Sequence, residues 1–237
     1  MASLQAHLIS LLLKLTLKRR LAGERDVARL RALFKPVPFQ TPTGISIERD
    51  RIGGVPGEWL STAASESPML FLHGGGYYAC APLNHRPITC FFAQNGFRVF
   101  APDYRLAPEH PFPAAVEDAL AVYVALLGQS GQIFPVAGDS AGGGLVLALM
   151  LSLRAAGERL PRAAALFSPW TDLTVTGESV QKNERRCAMF KQDDLLAFAQ
   201  IYLQGNASRN PLASPLYADL AGFPPLLIHV GGRSATR

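Results

Sequence analysis

The chain is short of charge and of cysteine. Only 17% of its 237 residues are charged and 49% are hydrophobic, enough apolar material for one sizeable core plus a lid. Two independent domains are not expected. Its three cysteines, Cys80, Cys90 and Cys187, are odd in number and lack C-x-x-C spacing. That excludes a disulfide framework and a cysteine metal site, and fits a reducing compartment. No apolar run is long enough to span a bilayer, so stable membrane insertion is not expected. The first seven residues carry no Lys or Arg, and Lys14 interrupts the apolar run Leu8 to Leu17, so a signal peptide is not expected. With no targeting signal, the cytoplasm is the expected location. A net charge of +5 raises the question of a nucleic-acid partner. The basic residues are spread out, apart from Lys18-Arg19-Arg20 and Arg185-Arg186, and no nucleic-acid signature accompanies them. They read as solvated helix faces. No repeat and no low-complexity segment is present.

What is there begins with helices. Residues 1 to about 36 suggest two, ended near Lys35-Pro36 because the residue before a proline is pushed out of the helical region. Leu4, Leu8, Leu11, Leu12 and Leu15 fall on one helix face, expected to lie over a hydrophobic active site; peripheral membrane attachment is the alternative. Further on, Gly44–Arg51, Met69–Leu72, Phe97–Ala101, Ile133–Ala137, Ala163–Phe167 and Leu226–Val230 suggest strands. Most are separated by helical segments such as Ala114–Leu127 and Gly142–Ala156. That alternation predicts a mainly parallel α/β sheet with helices on both faces. The stretch from Trp170 to Asn210 breaks the rhythm.

Two motifs carry the chemistry. Gly138-Asp139-Ser140-Ala141-Gly142-Gly143 lies between a strand and a helix, the context of the G-x-S-x-G nucleophile elbow. The helix behind Ser140 aims its N–H groups and positive dipole end at any oxyanion formed there. Leu70-Phe71-Leu72 runs into His73-Gly74-Gly75-Gly76-Tyr77-Tyr78, the HGGG-type loop that supplies further oxyanion-hole amides. Each such donor is worth roughly 3–4 kcal/mol of transition-state stabilisation. No Lys-Ser/Thr pair follows the glycines, which argues against a phosphate cradle.

With the segment from Asp103-Tyr104-Arg105-Leu106-Ala107-Pro108-Glu109 to Ala119, with Ser168-Pro169-Trp170-Thr171-Asp172-Leu173, with Ser214-Pro215-Leu216 and with Pro224-Pro225-Leu226, these motifs resemble the hormone-sensitive-lipase family of bacterial esterases. The match runs from about residue 45 onward. The resemblance implies an α/β-hydrolase core under a helical cap, and cofactor-free cleavage of short- to medium-chain carboxylic esters. The expected divisions are an N-terminal helical cap at 1–42, core at 43–169, a second cap segment at 170–210, and core again at 211–237.

Ser140 is the expected nucleophile, and the amides of Gly74, Gly75 and Ala141 the expected oxyanion hole. The side chain of His73 is expected to hold the glycine loop. Tyr77, Tyr78, Met189 and Phe190 are candidates for the acyl pocket, with core packing the alternative for each. Asp103, Arg105, Glu109, Glu117 and Asp118 suggest scaffold, and no metal site is expected.

The triad order is Ser, Asp/Glu, His, yet the only histidine after Ser140 is His229, inside a predicted strand. In the resembled family that strand ends in glycine followed by Asp-Glu, with the histidine a few dozen residues later. Here Gly231-Gly232-Arg233-Ser234-Ala235-Thr236-Arg237 follow. The expectation is a truncation that removes acid, base and the last sheet elements, with a frameshift near Ser234 as its suggested origin. Impaired catalysis and self-association through an exposed last strand are expected from it. The alternative is a non-catalytic small-ligand-binding protein of the same fold, as plant gibberellin receptors resemble this family. A peptidase or thioesterase also stays open.

Overall fold

The computed structural model describes residues 3–232. It opens with α1 (Leu4–Leu15), α2 (Leu17–Leu21) and α3 (Val27–Leu33), three helices where the sequence suggested two. The extra break falls at Thr16, whose hydroxyl back-bonds to the Leu12 carbonyl at 2.7 Å, a local competitor that distorts helices. Asp26 caps α3 by accepting from the Arg29 amide at 3.0 Å.

The leucine face of α1 does not lie over the site. Leu4, Leu8, Leu11, Leu12 and Leu15 are 50–76% exposed, whereas Ser10 and Leu13 on the opposite face are half-buried. Periodicity defines a stripe but not the direction in which it points.

The sheet follows as β1 (Ser46–Ile52), β2 (Val55–Ser61), β3 (Ser67–Leu72), β4 (Phe97–Pro102), β5 (Val136–Asp139), β6 (Ala164–Phe167) and β7 (Leu226–His229). Between them lie α4 (Arg86–Gln94), α5 (Ala114–Ser130), α6 (Ala141–Ala155), α7 (Glu178–Asn183) and α8 (Gln192–Leu203). The seven strands run in the order β1-β2-β4-β3-β5-β6-β7. β1 and β2 form an antiparallel hairpin and β2 pairs antiparallel with β4; the pairs from β4 through β3, β5 and β6 to β7 are parallel. The expected mainly parallel α/β sheet is therefore present.

Alternation along the strands sorts side chains between two cores. Leu70, Leu72, Phe100 and Val136 join the cluster under α5 and α6; Met69, Phe71, Val99 and Ala137 join Cys90 and Ala93 of α4 on the other face. Chain order reverses at β3, which has β4 on one side and β5 on the other. In open α/β sheets, ligands bind outside the carboxyl ends of the strands at such a switch point. The HGGG loop leaves β3 there, and Ser140 leaves β5 beside it.

One polar knot ties the helical segments to each other, and a second ties them to this edge. Asp194 of α8 accepts from the backbone amides of Gly23 and Lys191 at 3.2 and 3.1 Å. Arg31 of α3 donates to the carbonyls of Tyr78 and Ala107 at 2.8 and 3.0 Å, and to Glu109 through both terminal nitrogens. The hydrogen bonds to Arg31 hold the Glu109 carboxyl down at about 2. Arg105 pairs with both Asp118 and Glu117, consistent with the scaffold expected for these residues.

At the far side, β7 is the outer strand among the described residues, and Leu227 and Ile228 are more than half exposed. The suggested frameshift site at Ser234 lies outside the described residues.

Candidate active site

Ser140 sits between the last residue of β5 and the first of α6, with φ 51° and ψ −121°. Positive φ is strained for a residue with a Cβ, so the surroundings must hold it. They do so by backbone. The Ser140 amide donates to the Phe167 carbonyl at 2.9 Å, and its carbonyl accepts from Trp170 at 2.8 Å and Gly144 at 3.1 Å. The flanking glycines are required by contact: a Cβ on Gly138 would lie 2.5 Å from the Gly142 oxygen.

The glycine loop is tethered to the same strand end. The Gly74 amide donates to Asp139 Oδ1 at 2.9 Å, and His73 Nδ1 meets the Gly74 carbonyl at 2.8 Å. That contact makes Nδ1 the protonated nitrogen of His73. His73 is fully buried, stacked on Tyr104 with ring centres 4.3 Å apart, and burial depresses its pKa to about 4. It is neutral at neutral pH and serves as a strut. His85 brings Nε2 to 3.2 Å from Asp139 Oδ1. Burial works against its charged form, but the hydrogen bond and charge of Asp139 outweigh it and raise the His85 pKa. One carboxylate thus links an imidazole, the glycine loop and the residue before Ser140.

These elements border a cavity of about 460 Å³. Gly75, Gly76, Asp139, Ser140 and Ser168 form its polar side; Tyr78, Trp170, Met189, Phe190, Leu195 and Phe198 form much of its apolar wall. Ser10 of α1 also borders it. Ala141 is the first residue of α6, where an N–H has no acceptor within the helix. Cys80 is on the wall as well, but burial pushes its thiol up to about 12, so it stays neutral. Among the described residues, no cluster of three or more His, Cys, Asp or Glu could hold a metal ion.

Residues 69–237 match the family described as the alpha/beta hydrolase fold. An esterase from the bacterial hormone-sensitive-lipase family superposes with a TM-score of 0.88 at 38% identity, covering 100% of this chain and 81% of that one. The chain belongs to this family of α/β-hydrolases. Curated relatives include an acetyl-hydrolase of Streptomyces hygroscopicus, 44% identical over 76% of this chain and 62% of its own length. An esterase of Acinetobacter venetianus is 37% identical over 82% of this chain and 65% of its own length. The chain thus spans less than two thirds of the length of these relatives.

Within this α/β-hydrolase frame the structure corrects two sequence expectations. Gly74 cannot offer its amide to an oxyanion, because Asp139 holds it; Gly75 and Gly76 are the glycines that border the cavity. Tyr77 does not border the cavity. It is buried and stacked flat on Tyr202 with ring centres 3.9 Å apart, and its oxygen fills the space beside Gly144. Tyr78, Met189 and Phe190 do border it, together with Ser140 and Gly75. His229 lies in β7 with an exposed side chain and is not among the residues that border the cavity. Sequence reasoning missed His85, Gly76 and the role of Asp139. Nothing in the spacing marks His85, but Asp139 was visible as the acidic residue beside the serine.

Proposed function

We propose that the chain provides the nucleophile and oxyanion hole of a carboxylic ester hydrolase. The observation that carries this reading is Ser140, held at positive φ against a cavity shared with Gly75 and Gly76. In this reading the Ser140 oxygen attacks the ester carbonyl and its proton passes to a base. The amides of Gly75, Gly76 and Ala141, backed by the N-terminus of α6, take the negative oxygen. The oxyanion collapses, the alcohol leaves with the proton, and water hydrolyses the acyl-enzyme through the same hole. No cofactor is needed. The apolar wall of Tyr78, Met189, Phe190, Leu195 and Phe198 suits a short- to medium-chain acyl group, and the acetyl-hydrolase relative supports the short end. Residues 3–42 and 170–210 act as the cap over a core formed by 43–169 and 211–232. The free cysteines support a reducing compartment such as the cytoplasm.

No described histidine follows Ser140 except His229, whose position in β7 does not suit a base for Ser140. We therefore propose that a polypeptide of residues 1–237 alone turns over roughly 10⁴–10⁶-fold more slowly than a longer parent that supplies the base. The same observation favours a second reading, a small-ligand-binding protein with a hydrolase cavity. Hydrolysis of p-nitrophenyl esters by the 1–237 polypeptide and by a longer parent, each with and without Ser140→Ala, separates the two. A parent that loses its turnover with Ser140→Ala supports the hydrolase; a parent with no turnover but tight ligand binding supports the second reading. Robust turnover by the shorter polypeptide, abolished by Ser140→Ala, would show that another group acts as base.

A further inference from the structure

Helix α1 is placed back to front for a core helix. Its half-buried face holds Ser10, Leu13 and Lys14, while Leu4, Leu8, Leu11, Leu12 and Leu15 occupy an arc of about 100° that faces outward. Ile9 extends the exposed apolar surface, and Val37 and Leu83 add exposed side chains along the neighbouring groove between α1 and the 33–39 segment. Charge along residues 3–23 has one sign. Residues 3–23 contain Lys14, Lys18, Arg19 and Arg20 and no carboxylate, and Lys35 borders the same groove as Arg20. Lys18 is occupied by the carbonyls of Glu184 and Cys187, which pins α2 to the body and leaves Arg19 and Arg20 exposed.

An exposed leucine stripe continued by cations is the pattern of a helix that lies in a lipid–water interface. We propose that α1 and the Arg19-Arg20 step form a reversible docking surface for an anionic lipid surface. Charge selects this occupant over a second copy of the chain. A parallel twofold contact through the same face would bring Arg19 and Arg20 of both copies together, and an antiparallel one would set them against a segment that holds no carboxylate, whereas anionic headgroups complement them. At 12 residues, about 18 Å, α1 is too short to cross a bilayer and lies along its surface. No helix among the described residues is long and apolar enough to cross. Because Ser10 on the inner face of α1 borders the Ser140 cavity, docking would set the cavity beside the lipid surface. The proposal does not depend on the hydrolase reading.

The test is flotation of the full chain with vesicles of phosphatidylcholine, and with vesicles in which part of it is replaced by phosphatidylglycerol. The chain is expected to float with the anionic vesicles, weakly with the neutral ones, and to be released by high salt. Leu8→Gln with Leu12→Gln should abolish flotation, and Arg19→Gln with Arg20→Gln should weaken it roughly 25-fold, about fivefold per cation. All four side chains are exposed, so unfolding midpoints should match the parent. If the leucine variant fails to fold, the arginine variant carries the test alone. Failure to float, equal binding to both vesicle types, or a dimer that the leucine variant converts to monomer would each overturn the proposal.

Discussion

Replacing Gly142 with alanine should damage the molecule far more than its chemistry suggests. A Cβ at this position would lie 2.0 Å from the Leu72 oxygen and 2.5 Å from the His73 oxygen, against about 3.4 Å for ordinary contact. Both are backbone atoms at the end of a central strand, so no flexible side chain can yield. The start of α6 would have to retreat by more than 1 Å, or β3 would have to bend. Overpacking costs about 1–3 kcal/mol and sometimes more, and a rigid neighbour places this case at the upper end. Alanine recovers up to about 1 kcal/mol of helix propensity, which leaves a net loss of about 2 kcal/mol or more. Gly128 of α5 is the control. It is exposed, and a Cβ there meets nothing within 4 Å, so Gly128→Ala should stabilise by about 0.5–1 kcal/mol. Urea unfolding of the three proteins with a common slope decides the matter. A Gly142→Ala protein within about 0.5 kcal/mol of the parent, a change typical of a neutral surface site, would refute the steric argument. In a catalytically complete parent the same shift should lower turnover about 100-fold, because α6 carries Ala141 beside Ser140.

Stability should fall as pH drops from 6.5 toward 4, since His73 in the folded protein takes its proton only near 4 while the unfolded chain takes it first. The loss attributable to His73 is roughly 3 kcal/mol, and a His73→Asn variant whose unfolding free energy keeps the same pH slope would contradict it. Asp139→Ala should release the glycine loop. Amide exchange at Gly74–Tyr78 is expected to accelerate at least about tenfold, the equivalent of one lost hydrogen bond, and unchanged exchange would deny Asp139 its tethering role. A polypeptide of residues 1–237 should self-associate through β7, with Ile228→Lys reducing it, since unpaired strand edges recruit further strands. A monomer by light scattering at high concentration would count against that.

The parts of this molecule that the sequence disclosed are those where backbone geometry restricts residue choice. Gly138, Gly142 and the HGGG run are forced by close approach of main chains, and they marked the elbow and its loop. β2 went unseen because Pro56 and Gly57 interrupt its apolar signal; both are tolerated in a short antiparallel hairpin strand next to the edge. α4 was hidden by Pro87 in its first turn, where proline costs no helical hydrogen bond. The division of labour among the three glycines was not legible, because it depends on an aspartate 65 positions away. The outward turn of α1 escaped for a similar reason. The helix that follows it is pinned by Lys18 reaching Glu184 and Cys187, partners that no local pattern reveals.

Arg31 divides the helical segment of residues 3–42 into two parts with different freedom to change. It is bonded at once to the Tyr78 carbonyl beside the glycine loop, to the Ala107 carbonyl and to Glu109. Any rotation of α3 must therefore drag the loop that carries Gly75 and Gly76. The described residues ahead of Gly23 have no such bond to that loop. Chimeras that exchange residues 3–22 between relatives would thus recast the entrance to the cavity while leaving its donors in place. A crossover placed after Arg31 would join the loop of one parent to the latch of another, and only parents that share the arginine and its Glu109 partner could tolerate it.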